Sequence, residues 1–167
     1  PSATGDPSLT FILGASVLGQ IDSAGHADTF VTDGQGSTRM VLDDAGNILT
    51  RFDYDAFGQL VNPDTSQDVT LIRYTNEMWD PATSEYYLRA REYQPSLGRF
   101  TSQDSMLFGP GDFGNANLFL YANGNPINGI DPSGHFGLAE MLVTIGGMST
   151  LSGIVGGSIG AINHGVR

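Results

Sequence analysis

Three aspartates, Asp33, Asp44 and Asp55, stand 11 residues apart, and each opens a turn-like tetrapeptide: DGQG, DAGN and DAFG. A period of 11 is about one strand plus one tight turn, which constrains this stretch to a meander of antiparallel hairpins. Aspartate closes such turns through its side chain, and glycine supplies the positive φ that they need. Between the turns lie STRMVLD at 37–43 and ILTRFDY at 48–54. In the second, Ile48, Thr50, Phe52 and Tyr54 alternate with Leu49, Arg51 and Asp53, the period of two expected of a half-buried strand. Glycine usage fits the same picture: 23 of 167 residues, spread at turn-like intervals rather than gathered in one linker.

The rest of the chain extends the β reading and adds a few exceptions. Residues 9–22, LTFILGASVLGQID, predict one or two strands interrupted by Gly14 and Gly19. After a polar loop at 61–68, the run VTLIRYTN at 69–76 is again β-prone. EYYLRAREY at 85–93 reads as a strand, which would put Tyr87, Arg89, Arg91 and Tyr93 on one face. Residues 105–117 have loop composition. A short helix is expected over NLFLYA at 117–122, stopping at Asn123-Gly124, with Asn125-Pro126 and Asp131-Pro132 fixing turns beyond it.

Composition changes after Gly134. From Met141 to Ile162 no residue is charged, and glycines at 153, 157, 156 and 160 give two small-xxx-small spacings. An apolar, helical tail is expected there, of a length to span a bilayer or to lie buried inside a protein shell. The formal charge of −11, from 18 acidic and 7 basic residues, argues against nucleic-acid binding by this segment, because phosphate backbones are held by clustered Lys and Arg. The absence of cysteine removes disulfides and thiolate metal sites. His26, His135 and His164 lie far apart in sequence, so neither a metal nor another cofactor is expected. The chain opens at Pro1 without a signal-peptide pattern, as an excerpt or processed product of a longer protein would.

Several strings resemble the Rhs repeat-associated core and the YD-repeat units that precede it. The core-like strings are EYYLRAREYQPSLGRFTSQD at 85–104 and NLFLYANGNPINGIDPSG at 117–134; the repeat-like string is FVTDGQGSTRMVLDDAGNILTRFDYDAFGQL at 30–60. The resemblance implies a mainly β fold, in which hairpins form part of a larger hollow shell and a short segment spirals inward as a plug. It divides the chain into YD-repeat-like strands at 1–76, a core and self-cleavage segment at 77–134, and the tail at 135–167. In such proteins, among them Rhs toxins and the C components of Tc toxins, the shell encloses a C-terminal toxic cargo. The teneurins keep a related shell as an adhesion scaffold.

Self-cleavage in the family follows a DPxG motif and uses an aspartyl-protease-like site. Carried onto this chain, the carboxylates are Asp104, ending GRFTSQD, and Asp131, opening DPSG; Arg91 of LRAR accompanies them. Two adjacent carboxylates share one proton because both cannot ionise cheaply, so one activates water while the other protonates the departing group. The expected cut is His135–Phe136. The chain departs from the family pattern at Gln94, commonly Asp, at Ser105, commonly Pro, and at His135, often apolar. These departures leave open a second reading, a plug or adhesion scaffold without chemistry. The implied partners are the remainder of the chain's own shell and its cargo, with a secretion-system or toxin-complex delivery component; the apolar length of 141–162 leaves membrane contact open beside burial in the shell. The implied setting is an effector made in the bacterial cytoplasm and then secreted or delivered.

Overall fold

The computed structural model describes residues 9–61, 69–105 and 117–135. Its regular structure is antiparallel β, and the helical elements among the described residues are single 3₁₀ turns. The first sheet is a meander of five strands: β1 (Thr10–Leu13), β2 (Val17–Ile21), β3 (Ala27–Thr32), β4 (Thr38–Leu42) and β5 (Ile48–Arg51). Four further strands form the second: β6 (Met78–Asp80), β7 (Glu85–Leu88), β8 (Arg91–Gln94) and β9 (Arg99–Phe100). The apolar tail at 141–162, with its expected helix, lies outside the described residues. Among those that are described, no helix is long and apolar enough to cross a membrane.

The hairpin meander follows from one turn design used four times. Asp22, Asp33, Asp43 and Asp55 each accept, on Oδ1, the backbone N–H groups two and four residues ahead, at 2.7–3.0 Å. In each turn the glycine three residues on, Gly25, Gly36, Gly46 or Gly58, has φ between 83° and 89°. The carboxylate therefore satisfies two donors that the reversal removes from the ladder, and glycine takes the left-handed position without a Cβ penalty. This corrects the reading of the repeat: Asp43, not Asp44, opens the third turn, and the series begins one turn earlier, at Asp22, 11 residues before Asp33. Adjacent aspartates at 43 and 44 disguised the register.

The buried face of the first sheet carries Phe30, Val41 and Thr50, directly opposite one another on β3, β4 and β5. As the alternation predicts, Thr50 and Phe52 are buried while Arg51 and Asp53 are exposed; Ile48, at the strand's start, is exposed as well. Phe30, Val41, Phe52 and Ile72 make one core cluster. The second is aromatic: Tyr74, Tyr86, Tyr93, Phe100 and Tyr121, with Leu88 and Ala122. Buried Arg73 joins the two, its guanidinium 5.2 Å from the Phe52 ring centroid and 5.5 Å from that of Trp79.

Tyrosine hydroxyls bind the aromatic cluster to the last turn of the meander. Tyr74 donates to the Ala56 carbonyl (3.0 Å), Tyr93 to Phe57 (2.7 Å) and Tyr86 to Gly58 (3.2 Å). A Cβ at Gly58 would lie 2.5 Å from the Tyr74 ring, so glycine is needed here for packing as well as for φ. Burial pushes all three phenols above their usual value, Tyr74 to about 12, which keeps them protonated as donors.

Three other local expectations are corrected. Residues 69–76 are not a strand: Ile72 makes a single bridge to Met78, and the chain reverses through a 3₁₀ turn at Tyr74–Asn76, with Thr75 and Asn76 at positive φ. Instead of continuing a ladder, the Asn76 amide pairs with both backbone groups of Val17. Residues 85–93 are not one strand but β7, a two-residue turn and β8, so Tyr86, Leu88, Arg91 and Tyr93 face inward and Tyr87 is exposed. Residues 117–121 are not helical, and Ala122–Gly124 form only a single 3₁₀ turn. Leu120 bridges to Arg99 and Phe100 N–H donates to the Phe119 carbonyl, because the free edge of β9 offers these residues a partner. Positive φ at Ala122, Asn123 and Gly124 then stops any longer helix.

Two outcomes follow from the turn and the tyrosine bonds. Asp43→Ala should speed amide exchange at Ala45 and Asn47 whereas Asp44→Ala should not, as hydrogen-exchange mass spectrometry can read; equal effects would mean that the register is wrong. Tyr93→Phe, which orphans a buried acceptor, should cost about 1 kcal/mol in denaturant unfolding.

Candidate functional site

Arg91 opens β8 directly after the tightest reversal in the second sheet. Leu88, Arg89 and Ala90 form a turn closed by Ala90 N–H donating to the Leu88 carbonyl, with Arg89 at φ 60°. Leu88 and Arg91 are register partners across that turn, and both face inward. A guanidinium is thus carried into the interior on the face that holds Tyr86 and Tyr93. Phe100 lies beneath it, with 3.6 Å between Cζ and the ring centroid.

Two nitrogens of that guanidinium donate to backbone carbonyls, and the third lies against the acids as an ion pair. Nε donates to the Gly134 carbonyl and Nη1 to the Leu118 carbonyl (2.9 Å). Nη2 faces both predicted carboxylates, at 2.9 Å from Asp104 Oδ2 and 3.5 Å from Asp131 Oδ2. The three side chains are 3%, 9% and 0% exposed, respectively. Burial pulls the Arg91 guanidinium below its usual value, and the two carboxylates oppose that shift. The sequence-predicted residues Arg91, Asp104 and Asp131 therefore meet at one point, from segments 13 and 27 residues apart in sequence.

The two carboxylates reach it differently. Asp104 extends the chain beyond β9, where its N–H donates to the Leu118 carbonyl (3.0 Å), the same oxygen that accepts from Arg91. Asp131 is the first residue of the DPSG turn, in which proline fits the second position and Gly134 N–H closes on the Asp131 carbonyl (3.4 Å). Gly134, at φ 69°, is pressed against the β7–β8 turn: a Cβ there would lie 2.3 Å from the Leu88 carbonyl oxygen. Arg89 reaches over from that turn to the Pro132 carbonyl and pairs with Glu77 (2.9 Å). Burial raises the Glu77 carboxyl, Arg89 counters this and Asp131 adds to it.

His135 follows at once, its Nδ1 2.8 Å from Asp104 Oδ1 and its side chain 30% exposed. Ser133, which the sequence reading passed over, lies in the middle. It accepts from the His135 N–H (3.1 Å) and stands 2.9 Å from the His135 carbonyl oxygen and 3.3 Å from Asp131 Oδ1. Phe136, the other half of the expected junction, lies outside the described residues. No group of three or more His, Asp or Glu side chains among the described residues is placed to hold a metal ion. Two buried carboxylates, one fixed cation and a backbone carbonyl held beside them can support proton transfer to and from a reacting peptide.

Removing the cation would leave two buried carboxylates without their shared partner. Arg91→Met should therefore cost about 3–5 kcal/mol in denaturant unfolding, the range for breaking a buried ion pair from one side. An unchanged midpoint would show that the site does not depend on the guanidinium.

The chain is similar to several large proteins. The family model described as the teneurin YD-shell matches residues 11–127. The tRNA3(Ser)-specific nuclease WapA of Bacillus spizizenii is 35% identical over 103 residues, 60% of this chain and 4% of that protein. Double-stranded DNA deaminase toxin A of Burkholderia cenocepacia is 31% identical over 140 residues, 80% of this chain and 9% of that protein. Among solved structures, the Photorhabdus luminescens Tc holotoxin pore superposes with a TM-score of 0.62 at 23% identity, over 75% of this chain and 6% of that one. The chain thus spans less than a tenth of each of these relatives. A family match over most of its length, a meander of Asp-closed hairpins and an Rhs-like core segment agree: the chain belongs to the teneurin YD-shell family of Rhs/YD-repeat proteins.

Proposed function

We propose that this chain is the closing segment of a toxin-encapsulating YD shell and that it cuts itself once, at His135–Phe136, leaving the C-terminal cargo free inside. The observation that carries the reading is the shared Arg91 Nη2, which holds Asp104 and Asp131 together in a buried site beside the DPSG turn. In this reading residues 1–76 are shell strands, 77–134 the plug and cleavage segment, and 135–167 the start of the cargo or translocation region. WapA and the DNA deaminase toxin, by their names, act on nucleic acids. The chain's partners are the remainder of its own shell, its cargo and a delivery component, and 141–162 contacts a membrane during delivery. The protein is an effector made in the bacterial cytoplasm and then secreted or delivered.

The chemistry is hydrolysis by a carboxyl pair carrying one proton. The ionised member takes a proton from water as the water oxygen bonds to the His135 carbonyl carbon, whose π electrons move onto oxygen. The C–N bond then breaks, and the Phe136 nitrogen leaves with the proton of the other carboxyl, giving a new carboxylic acid and a new amine. Arg91 holds both acids in place and offsets their desolvation. One contact favours a second reading, a structural plug: His135 Nδ1 occupies an oxygen of Asp104 at 2.8 Å, where an apolar residue would leave that oxygen to water.

Intact mass of the full-length parent protein, measured under denaturing conditions, separates the two. Wild type should give two fragments that meet at His135–Phe136, and Asp131→Asn or Asp104→Asn should give one uncut mass with the fold retained. A single uncut mass from the wild type would make the segment a plug, and cleavage persisting in both variants would remove the pair from the mechanism.

A further inference from the structure

We propose that Ser133 is a further catalytic residue of the self-cleavage reaction, its hydroxyl donating to the carbonyl oxygen of the bond that is cut. This rests on the reading that His135–Phe136 is that bond. The His135 N–H donates to Ser133 Oγ at 3.1 Å, so one lone pair of the hydroxyl is occupied and its single hydrogen points elsewhere. Among the described residues, the acceptors in reach are the His135 carbonyl oxygen at 2.9 Å and Asp131 Oδ1 at 3.3 Å. The nearer is the oxygen on which negative charge develops when water adds to the carbonyl carbon. The farther belongs to one of the two acids.

A hydroxyl in this place does two things. It polarises the carbonyl before attack and strengthens its bond as the oxygen becomes an oxyanion, and so favours the transition state over the ground state. When Asp131 carries the shared proton it can donate to the second lone pair of Ser133 Oγ, which links the reacting carbonyl to that acid through one atom. Positioning comes from the turn itself. Asp131 and Ser133 belong to the same four residues, Pro132 fixes φ between them, and Gly134 seats the turn against the β7–β8 reversal. No other side-chain donor to the His135 carbonyl is present among the described hydrogen bonds; Arg91 and Arg89 are engaged with Gly134 and Pro132. The atom balance of the reaction is unchanged: the hydroxyl neither gains nor loses its proton overall.

The test follows cleavage with time in the full-length protein made by cell-free synthesis, quenched in denaturant and quantified by intact mass. Ser133→Ala should slow the cut by roughly a hundredfold, the scale set by loss of one oxyanion donor. Ser133→Thr, which keeps the hydroxyl, should restore most of the rate. Ser133→Cys keeps the size with a weak donor and should fall between; should the alanine variant fail to assemble, cysteine carries the same comparison. Because the hydroxyl does not titrate, the pH–rate profile of Ser133→Ala should keep the wild-type shape. Cleavage of Ser133→Ala at the wild-type rate would overturn the proposal and leave self-cleavage standing. A loss not restored by threonine, or a displaced pH profile, would also overturn it, since either marks a disturbed turn or carboxyl pair. An uncut wild type would instead remove the cleavage reading, and this proposal with it.

Discussion

Everything at the site depends on one guanidinium with no water to fall back on. Arg91 is buried, always cationic and planar, with donors that diverge along fixed directions. Those directions end on Leu118, Gly134, Asp104 and Asp131, so one side chain fixes the relation of three separate stretches of chain. An ammonium could supply the charge but not the geometry. Desolvating the cation is costly unless its charge is balanced, and here two carboxylates balance it while two backbone carbonyls accept from it. Assembly of the site and satisfaction of Arg91 are therefore the same event.

The guanidinium can be placed so firmly because the second sheet is anchored on both sides. Tyrosines 74, 86 and 93 reach out of the aromatic cluster to three successive carbonyls, 56–58, of the last turn in the meander. That turn is itself rigid, with Asp55 closing it and Gly58 at φ 84°. A repeated hairpin device, which by itself only builds wall, thus becomes the floor on which the functional segment rests. Arg73, between Phe52 and Trp79, does for the two cores what Arg91 does for the site: a buried cation meets aromatic faces from both sheets.

Much of this could be read from residue order. The meander was visible because hairpins with Asp-x-x-Gly turns recur at a nearly constant spacing, and the acids and the arginine were visible because they sit inside long, ordered strings. What escaped the sequence was whatever depends on a single residue of register or on a distant partner. Asp43 and Asp44 are chemically alike, and only the ladder tells which one closes the turn. Nothing in EYYLRAREY announces a reversal at Arg89, since a non-glycine residue at φ 60° is held there by the packing of its neighbours rather than by preference. NLFLYA looks helical alone, and it is the open edge of β9 that draws Leu120 into a bridge. Ser133 went unnoticed because a serine after Asp-Pro reads as turn chemistry. Its position relative to the His135 carbonyl exists only once the turn is seated.

A site that cuts its own chain, as proposed above, needs no cleft for a diffusing substrate. Enzymes that bind diffusing substrates need a cleft, and pockets are the ordinary place to look for one. Two surface cavities of about 280 and 200 Å³ lie beside Leu97 and Phe119 and beside Arg39 and Ile127, and neither is lined by Asp104, Asp131 or His135. For a bond in the same chain, the fold itself supplies the binding energy and orientation that a cleft would otherwise have to provide. DPSG is covalently attached, is oriented by its own proline and glycine, and is clamped by Arg89 and Arg91 on the Pro132 and Gly134 carbonyl oxygens. One turnover needs no route for exchange. Under the proposed self-cleavage, close packing around the carboxylates, which would hinder an enzyme of many turnovers, suits a reaction performed once.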